Sequence, residues 1–214
     1  MRKYLAFLLL GILTLVGVGG AAIGAVQSKS GTGLSQAVKN TLASPNFTED
    51  LVEKTPQGNQ TAHLVYQAPD RLGGWLLSAG RKTYIFIIGT TEYIAVSQSA
   101  GAPAPKTFYT QQTTGAKAVD PAHTYLPYYN CNPQPGQPKR PCPTTKSGNV
   151  TTITLTQGNQ KEILKYTVTG NYVSKFTAST PGGTIDLGIS ELGTSPAVQL
   201  PQGYKTTTVA PNAG

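Results

Sequence analysis

Charge is scarce in this chain. Asp, Glu, Lys and Arg make up only 12% of its 214 residues, against roughly 25% in an ordinary soluble domain, while Thr, Gln, Ser and Asn are plentiful. That is the surface of a protein working outside the cytoplasm. Lys and Arg outnumber the acids 17 to 9, for a formal charge of +8. Beyond the first residues, however, the basic side chains are scattered, with Arg81-Lys82 and Lys139-Arg140 as the adjacent pairs. A nucleic-acid surface needs clustered cations with interleaved aromatics, so no nucleic-acid partner is expected.

Catalytic signatures are scarce as well. There is no Gly-x-Ser-x-Gly nucleophile turn and no glycine-rich loop opening a helix. His63 falls inside an alternating strand, on the face opposite Leu64 and Tyr66, and reads as a half-exposed strand residue rather than a base. His123 lies in a proline-broken segment, Asp120 to Tyr129, that reads as irregular. The carboxylates run from Glu49 to Glu191 without a spacing that pairs an acid with a base. The two cysteines, Cys131 and Cys142, lack Cys-x-x-Cys spacing, which argues against a metal site with the histidines. The chain is therefore read as no enzyme, with no cofactor and no metal.

A long apolar run is present. Arg2 and Lys3 precede an uncharged stretch from Tyr4 to Val26, about the twenty residues that span a bilayer. Its dense part, Leu5 to Val18, also has signal-peptide length, and Gly19 to Gly24 offers small residues for cleavage. The reading prefers an uncleaved anchor over residues 1–27. Either way the basic start stays in the cytoplasm and the remainder is sent across. The expected location is thus the cell membrane, single-pass, with the domain on the extracytoplasmic side, or secretion if the leader is cut. Residues 28–33 form a small polar linker, and Gln27 to Gly33 fully extended reaches about 25 Å at about 3.5 Å per residue.

From there the pattern is mainly β. Leu34, Ala37, Val38 and Leu42 have helical spacing, ending before Pro45, so one amphipathic helix precedes the sheet. Asn46 to Pro56 reads as a strand. Asn59 to Gln98 then holds four more short runs, broken at Gln67 to Asp70, Gly80-Arg81 and Gly89 to Thr91. Turns so short make the neighbours antiparallel. The run Thr83 to Ile88 is apolar on both faces and asks for cover on both sides. Phe108 to Thr114 returns as a strand. Four further runs, Val150 to Thr156, Glu162 to Thr169, Tyr172 to Ala178 and Thr184 to Leu192, are linked by Gly158-Asn159, Gly170-Asn171 and Gly182-Gly183, good hairpin signals. Between the two groups, Cys131 and Cys142 bracket a proline-rich loop. In a chain that crosses the membrane they are expected to form a disulfide, worth about 2 to 3 kcal/mol through restriction of the unfolded chain.

The run LVYQAPDRL, the following YIFIIG with nearby Tyr93, and the ending YTVTGNYVSKFTAS then TIDLGISELGTSPAVQLP, closing at Val198 to Pro201, together resemble the LolA/LppX superfamily of lipoprotein carriers and lipid-binding lipoproteins. The resemblance implies an antiparallel meander curved into an incomplete barrel, with one or few helices on its concave side and an apolar cavity for a lipid or other hydrophobic ligand. The domain would span 34–205, with a Cys/Pro-rich insertion around 120–148 and a tail over 206–214. Candidate ligand-lining residues are Leu64, Tyr66, Trp75, Leu77, Ile85, Ile87, Leu155 and Phe176. The chain departs from the family in having no cysteine after the leader for lipid attachment, so a membrane partner is reached through the N-terminal helix alone. An alternative remains open: a non-catalytic signalling or interaction domain of the same fold, its barrel filled by its own side chains, with no protein partner identified.

Overall fold

The computed structural model describes residues 32–130, 142–157 and 160–208. The expected leader anchor and the Cys131 end of the expected disulfide lie outside these residues. Among the described residues no helix is long and apolar enough to cross a membrane.

The strands are β1 (Asn46–Thr55), β2 (Gly58–Gln67), β3 (Arg71–Ser78), β4 (Arg81–Ile88), β5 (Thr91–Val96), β6 (Thr107–Gln112), β7 (Thr144–Ser147), β8 (Val150–Gln157), β9 (Gln160–Thr169), β10 (Tyr172–Thr180), β11 (Gly183–Ser190) and β12 (Lys205–Thr207). They form one unclosed twelve-stranded sheet in the order β12-β6-β5-β4-β3-β2-β1-β11-β10-β9-β8-β7. Each hairpin expected from the glycine-bearing turns pairs with its neighbour, and β1 pairs with β11 to join the two meanders. Among the described strands only β12 is parallel to its partner, β6, which carries the last of them into the stretch read as tail.

Register decides which side chains share the inner face. Across β1 and β2, Phe47 stands opposite Tyr66, Glu49 opposite Leu64 and Leu51 opposite Ala62. The same face continues through Leu72 and Leu76 of β3 to Ile85 and Ile87 of β4, and on the other side through Leu187, Phe176 and Tyr166. These residues are buried in one apolar core.

Two short helices lie on that face. The first, α1 (Thr32–Leu42), packs mainly on β10 and on the turn at Leu126–Asn130, with a smaller contact to β9, burying Leu34, Ala37 and Val38 as their spacing predicts. Thr41 fastens it. Its Oγ1 donates to the Ala37 carbonyl at 2.8 Å and accepts from the Val173 N–H at 2.9 Å, next to the register shift between Val173 and Lys175 in the β10 ladder. The second, α2 (Pro121–Tyr125), packs on β1 and β11 between 3-10 turns at Ala116–Ala118 and Leu126–Asn130. Its sequence, broken by prolines, reads as irregular, and the structure makes it helical. Asp120 as N-cap and Pro121 at the first helical position are a start signal the reading passed over.

Part of the outer face is covered by the C-terminal chain. At Glu191, with φ of 52°, the backbone leaves β11, held where Thr48 Oγ1 donates to Glu191 Oε2 at 2.6 Å and the Ser195 N–H to Asn46 Oδ1 at 3.0 Å. It then crosses the sheet. The Val198 N–H donates to Gln67 Oε1 at 3.0 Å and Arg71 to the Val198 carbonyl at 3.3 Å. Further on, Tyr204 meets Phe108 and Tyr93 edge to face. This strap supplies the cover that the two-sided apolar run of β4 asks for.

Candidate functional site

The candidate residues divide between the two faces. Leu64, Tyr66, Ile85, Ile87 and Phe176 lie together on the inner face and in its core, and Leu155 of β8 packs partly buried against it. Trp75 and Leu77 do not join them. Their partners across the ladders are His63 and Thr61 on β2 and Tyr84 and Lys82 on β4, so they stand on the outer face, and Leu72 and Leu76 take the inner positions of β3. The cause is the turn at residues 68–70, which sets Gln67 opposite Arg71 and hence Leu64 opposite Gly74. Gly74 itself has φ of 154°, and a Cβ there would collide with the His63 carbonyl. Trp75 instead stacks on His63 with ring centroids 6.1 Å apart and lies under Lys82 Nζ at 4.5 Å, while His63 Nδ1 meets Asp50 at 2.8 Å. That makes His63 a strand residue on the outer face, half-exposed as expected.

The inner face is closed where it was expected to hold a ligand. Tyr66, Ile87 and Phe176 have 0% exposure, with Leu64 at 7% and Ile85 at 6%. A side chain with no surface open to water lines no water-sized void. Rings fill the middle: Phe47 on Tyr66 at 5.0 Å, Tyr166 on Phe176 at 5.0 Å, and Tyr125 on Phe176 at 6.0 Å. An open groove of about 500 Å³ does exist, between α1 and the turns of β7 to β10, lined by Leu34, Gln36, Ala37, Asn40, Asn149 and Val168 among others. None of the candidate residues reaches it.

The sequence reading missed the carboxyl groups of this face. In β1 the alternation Phe47, Glu49, Leu51, Glu53 places two glutamates inward with the apolar pair, and Glu92 joins them from β5; all three are buried. Burial raises the pKa of each, since removal from water penalises the charged form. For Glu49 the rise is large: burial acts first, then the charge of Asp120 and a hydrogen bond with it, against a lowering by the Ala122 N–H. Tyr66 beside them is pushed up to about 12, by burial and then by Asp120 and Asp70. The period-two placement of acids with Phe and Leu was the available signal. Among the described residues no group of three or more His, Cys, Asp or Glu is arranged to hold a metal.

No family model and no curated protein matches the chain. Among solved structures it is similar to LprF from Mycobacterium bovis, at 11% identity over 85% of this chain and 100% of that one, with a TM-score of 0.45. It is likewise similar to the Mycobacterium tuberculosis lipoprotein LppX, at 9% identity over 78% and 96%, with a TM-score of 0.44.

Proposed function

We propose that this chain is a non-enzymatic extracytoplasmic protein, tethered to the membrane by its N-terminal apolar segment, whose domain binds a lipid or other hydrophobic ligand along the inner face of the sheet. One observation carries the reading. The aliphatic part of that face, Leu72, Leu76, Ile85, Ile87 and Ile94, lies on β3 to β5, away from the strands on which the helices pack most, β9, β10, β1 and β11. An acyl chain entering there displaces no helix from its principal contacts. It has to part side chains that touch one another in the empty domain, and apolar burial of about 25 cal/mol per Å² drives that exchange.

The closure of Tyr66, Ile87 and Phe176 favours a second reading, the interaction or signalling domain with a filled interior. Native mass spectrometry of the full chain extracted from its own membrane separates the two. The binding reading expects a mass above that of the polypeptide which organic solvent removes as lipid. A population carrying the polypeptide mass alone contradicts it and leaves the filled domain.

A further inference from the structure

Glu49 and Asp120 are both wholly buried, and each has one engaged oxygen. Oε1 of Glu49 accepts from the Ala122 N–H at 2.7 Å. Oδ2 of Asp120 accepts from the His123 N–H at 2.9 Å and lies 2.7 Å from His123 Nδ1. The remaining oxygens, Glu49 Oε2 and Asp120 Oδ1, are buried and meet no donor, and the two carboxyl groups converge on the first turn of α2, one at the Ala122 N–H and the other at the His123 N–H. Two carboxylates cannot bond without a proton between them, and like charges side by side out of water do not both ionise. A single proton shared by the two groups would give each a partner.

Among the described residues the pair has one cationic candidate in direct contact, His123, whose Nδ1 lies 2.7 Å from Asp120 Oδ2. Leu64 and Ile189 flank Glu49 on the neighbouring strands. The titratable groups nearby are His123, Tyr66 with its ring 4.7 Å from that of His123, Asp70 beyond Tyr66, and Glu53 further along β1. The pair fastens the head of α2 to β1, and the same segment is tied to β9 by Tyr166 Oη donating to the Leu126 carbonyl at 3.4 Å, and to α1 by Tyr129 Oη with Ser35 Oγ at 3.2 Å.

We propose that Glu49 and Asp120 share a single proton and act as a latch: the protonated pair holds residues 116–130 closed over the inner face, and loss of the proton releases them. The latch rests on these contacts alone, whether or not the face takes a ligand. Opening returns Glu49 to water and to its ordinary acidity, so a proton leaves on opening. The ratio of open to closed therefore rises with pH, by up to about tenfold per unit, until the closed pair has itself ionised.

Hydrogen exchange of the full chain in detergent, read by mass spectrometry from about pH 5.5 to about pH 8.5 and corrected for intrinsic exchange, tests this. Protection of peptides covering 116–130 should fall at least about tenfold over the range, while the β2–β3 and β9–β10 hairpins hold theirs. Glu49→Gln keeps the acceptor for Ala122 and sets an amide donor against Asp120 Oδ1, so the segment should stay protected and lose its pH dependence. Asp120→Asn, with its amide donor toward Glu49, should do the same and serves if the first variant fails to fold. A wild-type profile flat with pH, or a variant that keeps the wild-type slope, overturns the latch.

Discussion

Gly73 makes room for Val198. A Cβ built on Gly73 would stand 2.8 Å from Val198 Cγ1 and 2.8 Å from Phe86 Cδ1, closer than side-chain carbons approach, and a valine methyl has no flexible end to swing away. Gly73→Ala should therefore lift the C-terminal strap from the outer face and cost about 1 to 3 kcal/mol, as overpacking does. Urea unfolding measures it, and a midpoint equal to that of wild type contradicts the strap's fit.

That contact bears on what the sequence could reveal. The hairpins were legible because turn residues such as Gly170-Asn171 separate alternating runs of strand length, and local chemistry suffices to pair them. The face of β3 was not, because Trp75, Leu76 and Leu77 are apolar in succession. Reading Trp75 and Leu77 as ligand-lining leaves out the turn arithmetic that pairs Leu64 with Gly74 and Tyr66 with Leu72. Glu49 and Glu53 are invisible as inner residues for a different reason: polar residues are expected outward, and the donor that Glu49 meets in its burial, the Ala122 N–H, lies about seventy residues away. Distant partners of that kind leave no local trace.

The buried glutamates set the direction of pH dependence. Glu49, Glu53 and Glu92 all have folded pKa values raised by burial, so the folded state holds protons that the unfolded chain gives up above the ordinary glutamate value of about 4.3. Their stabilising contribution is full below that value and is lost as pH rises through the raised values. The thermal midpoint should be higher at about pH 5 than at about pH 8, and Glu53→Gln or Glu92→Gln should flatten part of the slope. A midpoint that is unchanged, or lower at the acidic end, contradicts this.

The bridge between Cys131 and Cys142 is expected in the exported protein. Alkylation under non-reducing conditions followed by mass spectrometry should find neither thiol modified. Reduction should loosen the loop between the cysteines while the β9–β10 hairpin, closed by its own turn, keeps its exchange protection. Free thiols in the native protein contradict the bridge.

The central claim, that an acyl chain lies along the inner face, is tested most directly by photo-crosslinking with a diazirine-bearing fatty acid and mapping the labelled peptides. The account predicts label on Leu72, Leu76, Ile85, Ile87 and Ile94, competed away by unlabelled lipid. Labelling confined to the outer-face pair Trp75 and Leu77, or none above background, would contradict it.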